Sequence, residues 1–459
     1  MFRGSIYLYI TVRGDLKSKS SHTHSFKNPK SRLVNCDSST GSRRRKVWKK
    51  KVFQKRVRSR MKFALCGDIG GSNTRLQIFK IDERSAFEQG RVAPGELVCE
   101  GYFANHEYGS FDDIIKTFLE NSKQDRIDVC VLAVAGPVVN NSVAFTNLAI
   151  KGWRIDGDSM KSNWKMGRVK LVNDFLAQGY GVLTLNENEY ITINDVTPSN
   201  DGPIACVGAG TGLGECFCTR SQPNGQVTCF PSEGGHAEWS PRHHLELELL
   251  TFLLNKFASK HRVSVERVVS GHGLSNIYEF LRSHRHYVDK VDPEIDREYD
   301  EAPKSMKGAV VGKNAKNNLV CSKAAETFTS AYGSEVGVVG LKYLPTGGLY
   351  ICGGIAAKNV DWIQSETFRH AMFDKGRVSF ALHSIPVRLV TVENTGLRGA
   401  HVLAYQMLQS PIPLASSFHS VCDNDSTLNS YAAAATTLAL GMGMAMLMRG
   451  RGMFRYRRW

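Results

Sequence analysis

Short apolar runs alternate with longer segments of helical periodicity between residues 61 and 410. Such runs, rich in β-branched residues, are typical of buried strands, and their alternation with helices predicts an α/β protein. Ligand sites in these proteins gather at the carboxyl ends of strands, so the glycines and polar residues that follow the runs are the candidates for chemistry. Five runs end in this way: FALCGDIGG, DVCVLAVAGP, VKLVNDF, PIACVGAG and GLYICGG.

Three other segments have patterns of their own. Residues 244–257 (HLELELLTFLLNKF) carry apolar residues at helical spacing, which predicts an ordinary packing helix. Residues 283–318 are charged and rich in turn formers, which predicts a surface insertion or a long loop. Residues 431–448 contain no charged residue and precede a basic end, which fits either a membrane anchor or a loosely ordered tail.

Charge separates the first 60 residues from the rest of the chain. They contain 18 Lys and Arg and two acidic residues, so they carry +16, the formal charge of the whole chain. The remainder is balanced, which removes the main support for a nucleic-acid-binding protein. A basic leader rich in Ser and Thr is typical of an organellar transit peptide, which predicts a plastid or mitochondrial protein. The alternative is a start assigned too early, since Met61 directly precedes the first strand; the protein would then be cytoplasmic.

The 11 cysteines lie mostly in apolar runs and lack the spacing of a disulfide framework. They predict buried free thiols. Cys216, Cys218, Cys229 and His236 form a weak zinc candidate, because the chain has no CxxC pair.

A first glycine turn, GDIGGSNTR at residues 67–75, stands between two predicted strands. Glycines let backbone amides approach phosphate oxygens closely. Asp68, at the end of the strand, could hold Mg²⁺ directly or through water. The alternative is a tight hairpin that needs Gly70 and Gly71 only for its turn. Three polar residues of the turn could donate hydrogen bonds to phosphates: Ser72, Asn73 and Thr74.

A second glycine turn, GAGTGLG at residues 208–214, follows the strand PIACV. The dinucleotide fingerprint G-x-G-x-x-G would need glycine at position 213 or 215, where Leu213 and Glu215 stand. This disfavours a Rossmann oxidoreductase. Together with a third glycine pair, Gly353 and Gly354, the turns indicate a different way of holding a nucleotide.

The segment VKLVNDFLAQGY places Asp174 after a buried strand and at the start of a predicted helix. A helix amino terminus favours an ionised carboxylate, and such a residue could accept the proton of an attacking sugar hydroxyl. The alternative is that Asp174 only caps the helix. Asn173 could bridge sugar hydroxyls or merely end the strand.

Two further segments offer groups that bind hydroxyls. Glu233 and His236 belong to the loop EGGH, and Glu266 lies in SVERVVSGHGL. Carboxylates accept paired hydrogen bonds from vicinal hydroxyls, so these residues could hold a hexose. His236 on such a loop could equally be an ordinary surface residue.

Seven motifs occur in the order found in bacterial-type glucokinases: GDIGGSNTR, TNLAIKGW, LVNDF, GAGTGLG, SEGGHAEWSP, ERVVSGHGL and ICGGIAAK. Over nearly all of residues 61–410 the chain resembles this family of the hexokinase and actin-like ATPase superfamily. The resemblance implies an α/β, ribonuclease H-like fold of two lobes with a cleft between them. The expected parts are a leader at 1–60, a small lobe at 61–184, a large lobe at 185–395, a helix at 396–410 that returns to the small lobe, and a tail at 411–459.

The resemblance also implies a reaction, the transfer of the γ-phosphoryl of MgATP to the 6-hydroxyl of glucose, with Asp174 as catalytic base in what is expected to be a homodimer. Kinases for other hexoses and a catalytically silent sugar sensor remain alternatives. The expected glucose ligands are Asn173, Glu233, His236 and Glu266. The expected contacts to ATP and Mg²⁺ are Asp68 (the metal), Gly70, Gly71, Ser72, Asn73, Thr74, Gly210, Thr211, Gly212, Gly353 and Gly354.

Overall fold

The structure is a computed structural model that describes residues 11–12, 61–145, 152–221 and 226–410. The proposed transit peptide therefore lies almost entirely outside the described residues, and the candidate anchor at 431–448 lies wholly outside them. Within the described ranges, no helix has the length and apolar character needed to cross a membrane.

The described strands form two six-stranded sheets and one two-stranded sheet. Their bounds are β1 Thr11–Val12, β2 Met61–Ile69, β3 Asn73–Asp82, β4 Glu96–Ala104, β5 Val129–Val134, β6 Ser142–Ala144, β7 Arg154–Asp156, β8 Arg168–Asn173, β9 Tyr190–Asn194, β10 Ile204–Ala209, β11 Leu213–Ser221, β12 Gln226–Ser232, β13 Gly348–Cys352 and β14 Val387–Val390.

The described helices have the bounds α1 Phe111–Ser122, α2 Gly157–Asn163, α3 Asp174–Gly181, α4 His244–Lys256, α5 Gly271–Ser283, α6 Pro293–Glu301, α7 Lys307–Asn314, α8 Leu319–Tyr343, α9 Gly354–Lys358, α10 Val360–Gln364, α11 Glu366–Phe373, α12 Ser379–His383 and α13 Thr395–Gln409. The helix predicted at 244–257 is confirmed as α4.

The prediction of a long loop at 283–318 is wrong, because α6 and α7 lie there. Asp292 accepts hydrogen bonds from the first amides of α6, and Pro293 opens the helix, an arrangement that favours a helix start. Tyr299 of α6 is 1% exposed and packs 4.8 Å from the ring of Tyr278. The charged residues of this segment thus surround an apolar contact that joins it to the core.

The first large sheet has the order β1-β4-β3-β2-β5-β8. In it β2 and β3 form an antiparallel hairpin, whereas β2, β5 and β8 run parallel. The second sheet has the order β12-β11-β10-β13-β14-β9, with β10, β13 and β14 parallel. In both sheets, the parallel strands end at glycines or polar residues, as the sequence predicts.

Helices α3 and α13 lie between the two sheets and pack closely on each other. Buried residues of α3, α13 and one face of each sheet belong to a single hydrophobic cluster. A methyl group on Gly399 of α13 would lie 1.7 Å from the carbonyl oxygen of Ala177 in α3. Such close packing requires glycine and fixes the position of α3, which begins with Asp174.

The nine described cysteines are free and buried, which confirms that prediction for them; Cys36 and Cys422 lie outside the described residues. In the described part of the chain, no group of three or more His, Cys, Asp or Glu is arranged to hold a metal ion. The zinc candidate therefore gains no support.

Candidate active site

The first glycine turn is the tight connection between β2 and β3. The Gly70 amide donates to the Asn73 carbonyl at 2.9 Å, and the Asn105 side chain donates to the Gly70 carbonyl at 2.9 Å. Thr74 is fully buried, and its hydroxyl donates to the Asn105 side-chain oxygen at 2.8 Å. Thr74 therefore supports the turn from inside the lobe, and the structure does not bring its hydroxyl into the cleft.

A cavity of about 330 Å³ adjoins this turn and unites residues that are distant in sequence. Seven of its lining residues were predicted from the sequence: Asp68, Gly70, Gly71, Ser72, Asn73, Gly353 and Gly354. Seven others were not: Arg75, Gln178, Ala357, Val390, Val392, Glu393 and Thr395. Three of these carried a signal in the sequence, because Arg75 ends the motif GDIGGSNTR, Ala357 belongs to ICGGIAAK and Gln178 lies in VKLVNDFLAQGY.

Gly353 brings the third glycine pair to the cavity in a conformation that side chains rarely adopt. Its φ is +90°, and a methyl group there would lie 2.6 Å from the carbonyl oxygen of Ala209. The ends of β10 and β13 can therefore lie side by side, and α9 begins directly at Gly354. The backbone at the start of α9 is thus exposed to the cavity.

Backbone hydrogen bonds within the second glycine turn and from Gly271 hold it in place, and the turn faces Glu266. The Gly210 amide donates to the Gly212 carbonyl, and the Gly271 amide donates to the Gly210 carbonyl, both at 2.8 Å. A methyl group on Gly212 would lie 2.5 Å from Oε2 of Glu266. Gly210, Thr211 and Gly212 are not among the residues that line the 330 Å³ cavity. Their predicted contact with phosphate stays a prediction.

Asn173, and not Asp174, caps helix α3. The side-chain oxygen of Asn173 accepts from the amides of Phe175 at 2.9 Å and Leu176 at 3.3 Å. Its side-chain nitrogen donates to the Gly136 carbonyl at 3.3 Å. Both ends of the Asn173 amide are therefore engaged in holding the strand to the helix. The alternative that Asp174 serves only as the cap is wrong, since Asp174 is the first residue of the helix.

The carboxyl group of Asp174 has a strongly shifted pKa. Burial raises its pKa from 3.8 to about 6, a hydrogen bond from the Phe175 amide partly opposes this, and the negative charges of Asp68 and Glu233 raise it further. Burial also raises the pKa of Asp68, against the opposing charge of Arg75. The carboxyl group of Asp174 is thus near enough to feel the charges of Asp68 and Glu233, and its pKa suits a general base near neutral pH.

The remaining predicted sugar ligands lie at two adjoining 3₁₀ turns: Glu233 directly precedes the turn Gly234–His236, and Glu266 belongs to the turn Val265–Arg267. Nε2 of His236 lies 3.8 Å from Oε2 of Glu233, and both side chains are more than half exposed. Oε2 of Glu266 accepts from the Leu213 amide at 3.1 Å. The structure therefore brings these three side chains to the same end of β11 while leaving Glu233 and His236 open to solvent.

The glucokinase family model matches residues 65–407. The chain belongs to the glucokinase family. The glucokinase of Nostoc sp. strain PCC 7120 is 37% identical over 361 residues, which cover 76% of this chain and 100% of that protein. The glucokinase of Synechocystis sp. strain PCC 6803 is 36% identical, with 74% of this chain and 98% of that protein covered.

Solved structures agree with this assignment. The crystal structure of a glucokinase from an Antarctic psychrotroph has a TM-score of 0.60 and 26% identity, covering 75% of this chain and 99% of that one. The fold also matches the glucokinase of Balamuthia mandrillaris, with a TM-score of 0.58 and 20% identity over 75% of this chain and 94% of that one. The predicted actin-like α/β fold is confirmed. Members of this family are ATP-dependent hexose kinases, and so is this protein.

Proposed function

We propose that this protein transfers the γ-phosphoryl group of MgATP to the 6-hydroxyl of glucose, with Asp174 as the general base. The observation that carries the proposal is the setting of Asp174, whose pKa is raised to about 6 by burial and by the charges of Asp68 and Glu233. A carboxyl group of this kind ionises near neutral pH and still accepts a proton efficiently.

Glucose is the expected acceptor because three side chains that can bind sugar hydroxyls lie at the same end of β11. Glu233, His236 and Glu266 supply charged or imidazole groups that bind sugar hydroxyls, and the exposure of Glu233 and His236 leaves them accessible to the sugar. The curated relatives from Nostoc and Synechocystis are glucokinases, and the Balamuthia structure is a complex with glucose. Asn173 can join this set as it stands, because its side-chain nitrogen carries two N–H groups and donates one of them to the Gly136 carbonyl.

ATP is proposed to occupy the 330 Å³ cavity. The turn at Gly70 and Gly71 and the backbone at Gly354 offer amides to the phosphates, as glycine-rich turns do in other nucleotide sites. Val392 supplies an apolar surface against which a purine base can pack. The cavity therefore has both a polar and an apolar part, as a nucleotide requires.

Magnesium fits the carboxylate of Asp68. Burial raises the pKa of Asp68, because the ionised carboxylate is poorly solvated there. A cation beside it would compensate the charge. Mg²⁺ is commonly held by one or two carboxylates together with waters and substrate phosphates. When bound, it would neutralise charge on the phosphate oxygens.

The residues of the chain would contribute mainly position and electrostatics. Asp174 takes the proton of the 6-hydroxyl as that oxygen attacks phosphorus. The glycine turns hold the phosphates in line with it, and movement of the two lobes toward each other would exclude water. Assembly as a homodimer and the location in the cytoplasm or in an organelle remain predictions from the sequence.

The test is ADP release by the full chain with MgATP and glucose, mannose, fructose or glucosamine in turn. We expect kcat/KM to be highest for glucose. A higher value for another hexose would assign the protein to that sugar, and glucose binding without turnover would favour the silent sensor.

A further inference from the structure

A cluster of five buried cysteines lies behind the active-site helix and has no role in phosphoryl transfer. Its members are at most 5% exposed. Cys206 and Cys216 are opposite each other in the β10–β11 pairing, and Cys218 and Cys229 are opposite each other in the β11–β12 pairing. The cysteine cluster consists of Cys206, Cys216, Cys218, Cys229 and Cys352.

One pair in the cluster is much closer than the packing of thiols requires. The sulfur atoms of Cys218 and Cys229 lie 2.6 Å apart. This separation is below an ordinary van der Waals contact and approaches the disulfide bond length of about 2.0 Å. Directly opposed residues on antiparallel strands also have Cα separations in the range that a disulfide spans. A bond between these sulfurs therefore needs little movement of the backbone.

A cavity comes close to this pair. Arg220 and Val227 form the next pair on the same face of the β11–β12 ladder, two residues from Cys218 and Cys229. Both residues line a second cavity of about 590 Å³, which is separate from the nucleotide cavity. The strand β12 is also the edge strand of its sheet. A small oxidant in this cavity would be one residue pair away from the sulfurs.

We propose that Cys218 and Cys229 are a redox modification site that forms a reversible disulfide with a peroxide as oxidant. Burial raises the pKa of both thiols, so one of them must first lose its proton. The resulting thiolate attacks an oxygen of hydrogen peroxide, and the proton goes to the departing hydroxide, which gives a sulfenic acid and one water. The second thiol attacks that sulfur, the S–S bond forms, and a second water leaves. Two electrons and two protons pass from the two thiols to the peroxide, which balances the reaction.

The disulfide would lie directly against α3. A methyl group on Gly179 would be 2.9 Å from the sulfur of Cys218 and 3.2 Å from that of Cys229, so the helix backbone touches both sulfurs. The Cys229 amide also donates to the Tyr180 hydroxyl at 3.4 Å. The disulfide would thus join strands β11 and β12 covalently at the edge of the second sheet. The joined strands lie against the helix that begins with Asp174.

Peptide mapping tests the proposal without relying on kinase activity. The reduced full-chain protein is treated with hydrogen peroxide, alkylated and digested with trypsin, which cleaves after Arg220 and separates Cys218 from Cys229. We expect a disulfide-linked pair of peptides, 171–220 with 221–242, that disappears after dithiothreitol. The linked pair should be absent from Cys218→Ser and from Cys229→Ser, and present in the matched control Cys216→Ser, whose sulfur belongs to the same cluster and the same peptide.

Three results would overturn the proposal. They are the absence of linked peptides in oxidised wild type, their persistence in Cys218→Ser, or oxidation of either cysteine to a sulfinic acid that dithiothreitol does not reverse. Circular dichroism identifies variants that fail to fold, and Cys218→Ala and Cys229→Ala replace any serine variant that does.

Discussion

Replacing Gly212 by alanine tests the contact between the second glycine turn and the sugar site. The new methyl group would lie 2.5 Å from Oε2 of Glu266, whereas real contacts are essentially never below 3.0 Å. The carboxylate must therefore retreat, which lengthens or breaks its 3.1 Å hydrogen bond from the Leu213 amide. Because the displaced oxygen is the end of a flexible side chain, we expect little loss of stability. The effect should instead fall on glucose binding.

The expected size follows from the hydrogen bonds that Glu266 makes. A hydrogen bond to a charged group contributes about 1.5–3 kcal/mol, which corresponds to roughly 10- to 150-fold in affinity. We therefore expect Gly212→Ala to raise the KM for glucose about 10-fold or more, measured as ADP release at saturating ATP, with an unchanged melting temperature.

The matched control is Gly210→Ala, because a methyl group there would meet no atom within 4 Å. Its KM for glucose should stay within about two-fold of wild type, while its KM for ATP rises if the Gly210 amide approaches a phosphate. An unchanged KM for glucose in folded Gly212→Ala protein would refute the proposed role of Glu266.

Two further predictions concern pH and stability. Burial raises the pKa of Asp174 to about 6, and the base must be ionised to accept a proton. The kcat/KM for glucose should therefore fall about tenfold per pH unit below pH 6 and level off above it. A pH–rate profile that is flat down to pH 5 would contradict this prediction. Gly399→Ala should lower the free energy of unfolding by about 1–3 kcal/mol or more, because its methyl group would meet Ala177. Gly312→Ala makes ordinary contacts only and should raise the free energy of unfolding by up to about 1 kcal/mol. Denaturant unfolding measures both variants, and equal stability would refute the packing argument.

The turns and helix starts were predictable from the sequence because they depend on residues that are neighbours along the chain. The hairpin at Gly70 and Gly71 needs only two strands and a turn, and the helix after Asn173 begins where an apolar strand meets polar residues. The family's motifs then supplied the fold class, which the family match and the solved structures confirm.

The parts that failed depend on tertiary contacts. The many charged residues of 283–318 suggested a segment exposed to solvent. Tyr299 of this segment is nevertheless buried against Tyr278, and the segment is helical and packed. Val390 and Val392 belong to none of the seven motifs, and Val390 lines the cavity because β14 lies beside β13. The place of Thr74 in its motif predicted a phosphate ligand, but the side chain points into the lobe toward Asn105.

Turnover and glucose binding of Asp174→Asn, measured beside wild type, test the central claim most directly. Asparagine keeps the size of the side chain and removes its ability to take a proton. We expect glucose-dependent ADP release to fall by at least about 100-fold while glucose affinity, measured by calorimetry, changes little. Turnover within a few-fold of wild type would contradict the assignment of Asp174 as the base.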